Sequence, residues 1–305
     1  TTPPKAQDTL SNITPVKKSP EKLAIQWDMY DIGVQVFEKL RKPGESISFS
    51  PTSLQQVLYV YTLSRWNEDL ANKLGFAGND KAKFETLLKT LNAPDAAPFK
   101  SVNAVFSKLW NFGNEKLLKN LKVELGKINP NDIAWETARL NKFVSDQTNG
   151  MIKDLFKTSD VSSAQEIFVN TMYFKGDWES TFNSAKPDQK FWDKKADLMT
   201  QTSNFEQVKT ERSQVIKMPF KDGSSMIAFL PDSDLSVTIK EANQLLKNPN
   251  SIRFWQSSKV KLTFPKFETE STADGIWVKL WIDVDVIQKS KVTVDETWAK
   301  AAAAS

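Results

Sequence analysis

The chain has 305 residues, 41 basic and 37 acidic, for a net charge of +4, and it contains neither cysteine nor histidine. That length buries a large core, as one big domain or two ordinary ones, and the mild charge carries no Lys/Arg block of nucleic-acid type. The two missing residue types exclude cysteine nucleophiles, Ser-His-Asp triads, thiolate or imidazole zinc sites and disulfides.

Residues 1–20, rich in Thr, Pro, Ser and Lys, predict a mobile arm ahead of a single domain over 21–305. The opening Thr1-Thr2-Pro3-Pro4 has no initiator Met and no apolar signal core, and it reads as a processed or trimmed end. Asn12-Ile13-Thr14 is a glycosylation sequon, a pointer to a secreted glycoprotein, although Pro15 directly after it works against its use. Helical spacing runs over 21–40 through Ile25, Met29, Ile32, Val36 and Leu40, and Gly44 breaks it. A short strand is expected at 47–51 and a second helix at 53–66. A third amphipathic helix is predicted over 135–148, with Leu140, Val144 and Thr148 in one line and Asn149-Gly150 as its left-handed end. Strands follow at 167–169, at 173–174 and at 225–230, the last stopped by Pro231. Residues 259–266 alternate, which places Val260, Leu262 and Phe264 on one face.

A further alternating run, 291–295, leads through Glu296 to Ala301-Ala302-Ala303-Ala304-Ser305. Alanine prefers helix, yet these residues follow a strand. Side chains this small suit two roles, a loose exposed loop or a segment that slips between other strands without clashing. Helices first and antiparallel-looking strands later give an α+β chain, with no repeat and no linker to divide it.

Carboxylate pairs and Ser-Lys dyads survive the composition test, but no spacing lifts any of them above a solvated surface. Neither GxGxxG nor GxxxxGK[ST] is present. The chain is therefore not expected to be an enzyme or to carry a metal or cofactor, and no apolar run approaches the roughly 20 residues of a membrane span. Glycine is scarce, 10 in 305, which suggests that loops are missing from the sequence as it stands.

Six segments, in order along nearly the whole chain, resemble the serpin family of serine-protease inhibitors and their non-inhibitory relatives. Phe49-Ser50-Pro51-Thr52-Ser53-Leu54 is similar to the family's FSPxSI, and Asn141 through Val144, Thr148, Asn149, Gly150, Ile152 and Leu155 to NxWVxxxTNGxIxxL. Val169-Asn170-Thr171-Met172-Tyr173-Phe174-Lys175-Gly176-Asp177-Trp178 with Phe182 is similar to VNAxYFKGxWxxxF. Residues 226–232 resemble SMxxxLPD, Phe264-Pro265-Lys266-Phe267 resembles LPKF, and 289–305 resembles the strand and hinge KxxxxVxEEGTEAAAAT.

The resemblance implies three β-sheets, about nine helices and an exposed reactive loop. It implies a secreted, monomeric inhibitor of a serine protease that works as a suicide substrate: cleavage of the loop lets it insert into the central sheet with the acylated protease attached. The alternative is a non-inhibitory serpin, a carrier, storage or chaperone-like protein. Carried onto this sequence, the reactive-loop hinge is Glu296, Thr297, Trp298, Ala299, Lys300, Ala301, Ala302, Ala303, Ala304 and Ser305. The residues expected to control the central sheet are Ser53, Asn170, Trp178 and Gln288, with Trp178 and Phe182 read as fold residues rather than ligand contacts. Lys81, Lys83 and Lys89 suggest weak binding of a sulfated polysaccharide, against the plainer reading of a solvated face.

Several positions depart from the family pattern. Trp298 stands where a hinge glycine is usual, and its ring is expected to hinder the first turn of insertion or to pin the loop to a groove. Ala299 replaces a threonine, and Lys300 replaces a glutamate at a position expected to face solvent. Gln288 replaces a histidine and is expected to hydrogen-bond toward Ser53 and Asn170; Gln56 is a bulky replacement in a packed region. The segments after Trp66, around Glu206 and between Thr272 and Val284 are shorter than the family needs. The sequence as given is expected to lack the scissile bond and the last core strands.

Overall fold

A computed structural model describes residues 37–42, 44–65, 71, 79–92, 98–191, 194–232, 235–247, 256–273 and 287–305. The helices are α1 (Pro51–Arg65), α2 (Asn79–Leu91), α3 (Glu115–Asn120), α4 (Ile133–Gln147), α5 (Thr158–Ser163) and α6 (Leu235–Lys247). The strands are β1 (Phe99–Ser107), β2 (Glu124–Lys127), β3 (Glu166–Asp177), β4 (Asn183–Phe191), β5 (Lys194–Lys209), β6 (Ser213–Pro219), β7 (Ser225–Pro231), β8 (Gln256–Ala273), β9 (Gln288–Val294) and β10 (Trp298–Ala304).

All ten strands join in one hydrogen-bonded path, β2-β1-β3-β10-β9-β8-β5-β6-β7, with β4 on β5. β1 and β2 are parallel and every other pair is antiparallel. Two long strands change partners along their length. β8 pairs with β5 through residue 266 and with β9 from Phe267 onward, while β5 meets β4 near its start and β6 at its end. Among the described residues two sheets, against three expected, are thereby stitched into one path, and the central one runs from β2 to the end of β8.

Helices cover both faces of the central sheet, so its strands lose the usual apolar-polar alternation. β1 shows the consequence: Val105 packs with Leu54, Val57 and Leu58 of α1, while its neighbours Ala104 and Phe106 pack with Leu140 and Val144 of α4. A third cluster, around Trp178, Phe182, Met199 and Phe220, joins the top of the central sheet to the second sheet. Val260, Leu262 and Phe264 of β8 share it, as their alternation predicts.

α4 begins two residues before its predicted start because the Asp132 side chain accepts the Trp135 N–H and caps it. It ends at Thr148, with Asn149 and Gly150 at positive φ, and Leu140, Val144 and Thr148 are all fully buried. Residues 167–169 and 173–174 are one twelve-residue strand, β3.

The short strand expected at 47–51 is absent. Ser48 N–H donates to Ser271 Oγ (2.9 Å) and Ser50 N–H to Gln288 Oε1 (3.0 Å), so side chains take the place of a ladder. Pro51, which lacks an N–H, opens α1. With the helical stretch at 37–40, helices number seven among the described residues, against about nine expected. β5 runs without interruption through Glu206, bonded there to Lys217 and Ser257. Of the helix expected over 21–40, residues 37–40 are helical and 21–36 lie outside the described residues, as do the sequon and the segments 72–78 and 274–286.

The fold is the expected α+β one; the placement of the hinge is not. Residues 298–304 form a central strand, the second of the two roles that side chains this small allow and not the exposed loop that the resemblance implied, because β3 and β9 stand apart by the width of one strand and each supplies a ladder.

Candidate functional site: a strand held at both ends

β10 pairs with β3 from Trp298↔Asp177 to Ala304↔Thr171, and with β9 from Ala299↔Val294 to Ala304↔Lys289. Backbone pairing on two sides overrides the helical preference of alanine, a matter of at most about 1 kcal/mol per residue. Side-chain size decides which sequence can lie there. Ala302 and Ala304 pack into the α4 cluster, Ala299 into the Trp178 cluster, and Ala303 is only 3% exposed. The strand effectively continues to Ser305, whose N–H donates to Asn170 O (2.9 Å) and whose carbonyl accepts Asn170 N–H (2.8 Å).

The upper end is a tight turn. Asp295 Oδ1 accepts the N–H groups of Thr297 (2.8 Å) and Trp298 (2.9 Å), and Asp295 N–H donates to Trp298 O (3.0 Å). Trp178 clasps the turn: its indole donates to Asp295 O (2.9 Å) and its backbone N–H to Thr297 O (3.0 Å). The same indole stacks on Phe220 at 4.5 Å and is buried.

Phe182 N–H donates to Glu296 O (2.8 Å). The Glu296 carboxylate accepts the Ala185 N–H and the Lys266 ammonium, each at 3.0 Å. The bond from the Ala185 N–H leads, with the Glu296 N–H and Lys266 after it, in holding this carboxyl below its ordinary 4.5. Trp298, expected to obstruct entry, occupies the first residue of β10, half-buried, with Lys300 Nζ 4.0 Å from its ring centroid.

The lower end is a polar cluster without a charge. Gln288 Nε2 donates to Ser305 Oγ (2.6 Å) and Ser50 O (3.0 Å), and Gln288 Oε1 accepts Ser50 N–H. Because Ser305 Oγ already accepts from Gln288, its own proton is free for Ser53 Oγ at 2.9 Å. The direct bonds expected from Gln288 to Ser53 and Asn170 are therefore replaced by bonds to Ser50 and Ser305, since Ser305 lies between. The amide of Asn170 belongs to a neighbouring group: its Nδ2 donates to Ser101 Oγ (3.2 Å) and Asn103 Oδ1 (3.1 Å). Gln56 closes that group by accepting from Ser101 Oγ (3.0 Å) and Asn103 Nδ2 (2.9 Å).

The length of Gln56 is thus used to span from α1 to β1. Sequence reading missed that role and also Ser101 and Asn103, although their two-residue spacing on a strand puts both on one face. Asn170 Oδ1 is buried without a partner among the described residues. No group of three potential metal ligands occurs among the described residues, and no described helix is long and apolar enough to cross a membrane.

The sequence profile of the serpin family (serine protease inhibitor) matches residues 28–275. This chain belongs to the serpin family. Among similar serpins, antichymotrypsin-2 of Bombyx mori is 28% identical over 311 residues, covering 86% of this chain and 82% of the relative. Human serpin B3 is 27% identical over 287 residues, covering 81% and 73%. Cleaved serpin 42Da superimposes with a TM-score of 0.78 at 22% identity, over 93% of this chain and 88% of that one. Thyroxine-binding globulin complexed with thyroxine-fluoresein gives 0.80 at 20% identity, over 92% and 97%. The similar proteins thus include an antichymotrypsin by sequence and, in fold, a thyroxine-binding globulin. Serpins are generally not enzymes.

Proposed function

We propose that this serpin inhibits a serine protease as a suicide substrate. The observation that carries the reading is the fit of 298–304 between β3 and β9: every side chain from Ala301 to Ala304 is small, and Ala302 to Ala304 are buried. In this mechanism a protease attacks the loop beyond Ser305, the severed loop enters the central sheet, and the acyl-enzyme is dragged along before it can hydrolyse. Bulk or charge within 301–304 would slow entry and let the protease finish. Insertion is driven by two new ladders, by burial of the alanines and by the bonds of Ser305 at the lower end. Glu296 to Ser305 act as the hinge, and Ser53, Asn170, Trp178 and Gln288 hold the sheet at its two ends.

The non-inhibitory reading rests on Trp298. A large ring where a hinge glycine is usual slows the first step, and a slow hinge makes a substrate, or a carrier, out of an inhibitor. The sequon motivates a secreted glycoprotein, and Lys89, exposed on α2, keeps weak sulfated-polysaccharide binding as a minor expectation; the side chains of Lys81 and Lys83 lie outside the described residues. The deciding experiment incubates the full protein with a panel of trypsin-like and chymotrypsin-like proteases and runs a denaturing gel. A covalent complex with at least one protease is expected. Cleaved serpin beside free, active protease across the whole panel would overturn the inhibitory reading in favour of the carrier one.

A further inference from the structure

Away from β10, at the β2 end of the central sheet, three large apolar side chains stand in water: Leu109 is 63% exposed, Trp110 61% and Trp135 57%. The two tryptophans are linked by cations. Lys127 Nζ lies 3.3 Å from the centre of the Trp110 ring, and the Arg139 guanidinium 5.6 Å from that of Trp135. Arg139 also donates to Lys127 O (2.7 Å), so the line Trp110–Lys127–Arg139–Trp135 is continuous.

The patch is rigid. Trp110 holds φ at +56°, a left-handed backbone that a bulky residue adopts only under constraint. Arg139 is fixed by two bonds to the buried Glu136, at 2.8 and 2.6 Å. Glu136 in turn neutralises Arg139. Lys127 has no carboxylate partner among the described residues, and its ammonium spends its charge only on an indole face.

We infer that this patch docks a second protein through a segment that combines apolar side chains with a carboxylate, the carboxylate meeting Lys127 and the apolar groups covering Leu109, Trp110 and Trp135. Fixed Trp and Arg groups, flanked by a charge awaiting its complement, are the chemistry of protein–protein hot spots. The same count argues against anionic polymers or lipid surfaces. Those are held by clusters of roughly four to eight cations, and here Arg139 is already spent on Glu136, leaving Lys127.

The test uses the full protein and immobilised twelve-residue peptides that alternate Asp/Glu with Trp/Leu, beside the same peptides with Lys at every acidic position. The acidic set is expected to bind, and Trp110→Ala or Trp135→Ala to weaken binding at least tenfold with an unchanged thermal midpoint, since both rings are exposed. Lys127→Glu is expected to transfer the preference to the Lys peptides. Equal binding of both peptide sets, variants that bind like the parent, or tryptophan-dependent binding to phosphatidylserine vesicles in place of peptides would each overturn the inference. Protease complex formation is unaffected by these variants if the proposed function holds, so the two ideas fail separately.

Discussion

The two ends of β10 are held by opposite kinds of chemistry. At the top, a turn at 295–298 is gripped by an aromatic stack, backbone bonds from Trp178 and Phe182, and the ion pair Lys266–Glu296. At the bottom, Ser305 enters a buried group of hydroxyls and amides, Ser53, Ser50 and Gln288, in which nothing titrates near neutral pH. The top should answer to salt and acid. The bottom should answer to neither, but it is intolerant of a lost partner, because a buried polar group without a bond carries its full desolvation cost. A serpin with histidine in place of Gln288 would have a titratable lower end; this one does not.

The comparison is broken most severely from the middle of the strand. Ala303→Glu puts a charge at a nearly fully buried position, and should destabilise the strand-inserted form by about 3 kcal/mol or more. Denaturant unfolding measures this, and a loss below 1 kcal/mol would mean that β10 is not held as described.

Gln288→Leu tests the lower end by stripping Ser50 N–H, Ser50 O and Ser305 Oγ of their partner at once. A loss of roughly 2–3 kcal/mol is expected, the same at pH 5 and pH 8. A pH-dependent loss would place a titrating group in the cluster.

Trp298→Gly tests the hinge. The inserted form should lose about 1 kcal/mol, from the cation–π contact with Lys300 and from glycine in a strand. Insertion should nevertheless speed up, with fewer inhibitor molecules consumed per protease inactivated. Unchanged stoichiometry would take Trp298 off the insertion path.

The smallest effect is that of pH at the upper end. The Glu296 carboxyl is held below 4.5 in the folded chain, so its stabilisation is present in full above 4.5 and is lost as pH falls through the lower folded value. The side chain is about a quarter exposed and water screens it, which limits the effect to less than about 1 kcal/mol. Glu296→Gln should lessen the acid-side slope, the Lys291-bound Glu268 supplying a further part, as urea midpoints between pH 3 and pH 6 would register, and an unchanged slope would assign it to other carboxylates.

Much of this could be read directly. The alternation of Val260, Leu262 and Phe264 placed β8, the stripe Leu140–Val144–Thr148 placed α4, and the residues around Asn170 and Trp178 carried the family resemblance that the profile match bears out. These are local signals, because period and capping depend on residues a few positions apart. What the sequence left open was the alanine run, whose residues prefer helix and whose small side chains suit an exposed loop or a segment between strands. Only β3, distant in sequence but adjacent in space, together with β9, the preceding arm of the same hairpin, makes it a strand by offering a ladder on each side. The same holds for Gln56, which reads as an oversized intruder until β1 brings Ser101 and Asn103 opposite it. It holds too for Ser305, whose bonds run to Ser53, Asn170 and Gln288 from three separate segments. For most elements the type is set by neighbours in sequence; the type of the alanine run, and the worth of a polar or tiny side chain, are set by what tertiary folding places against them.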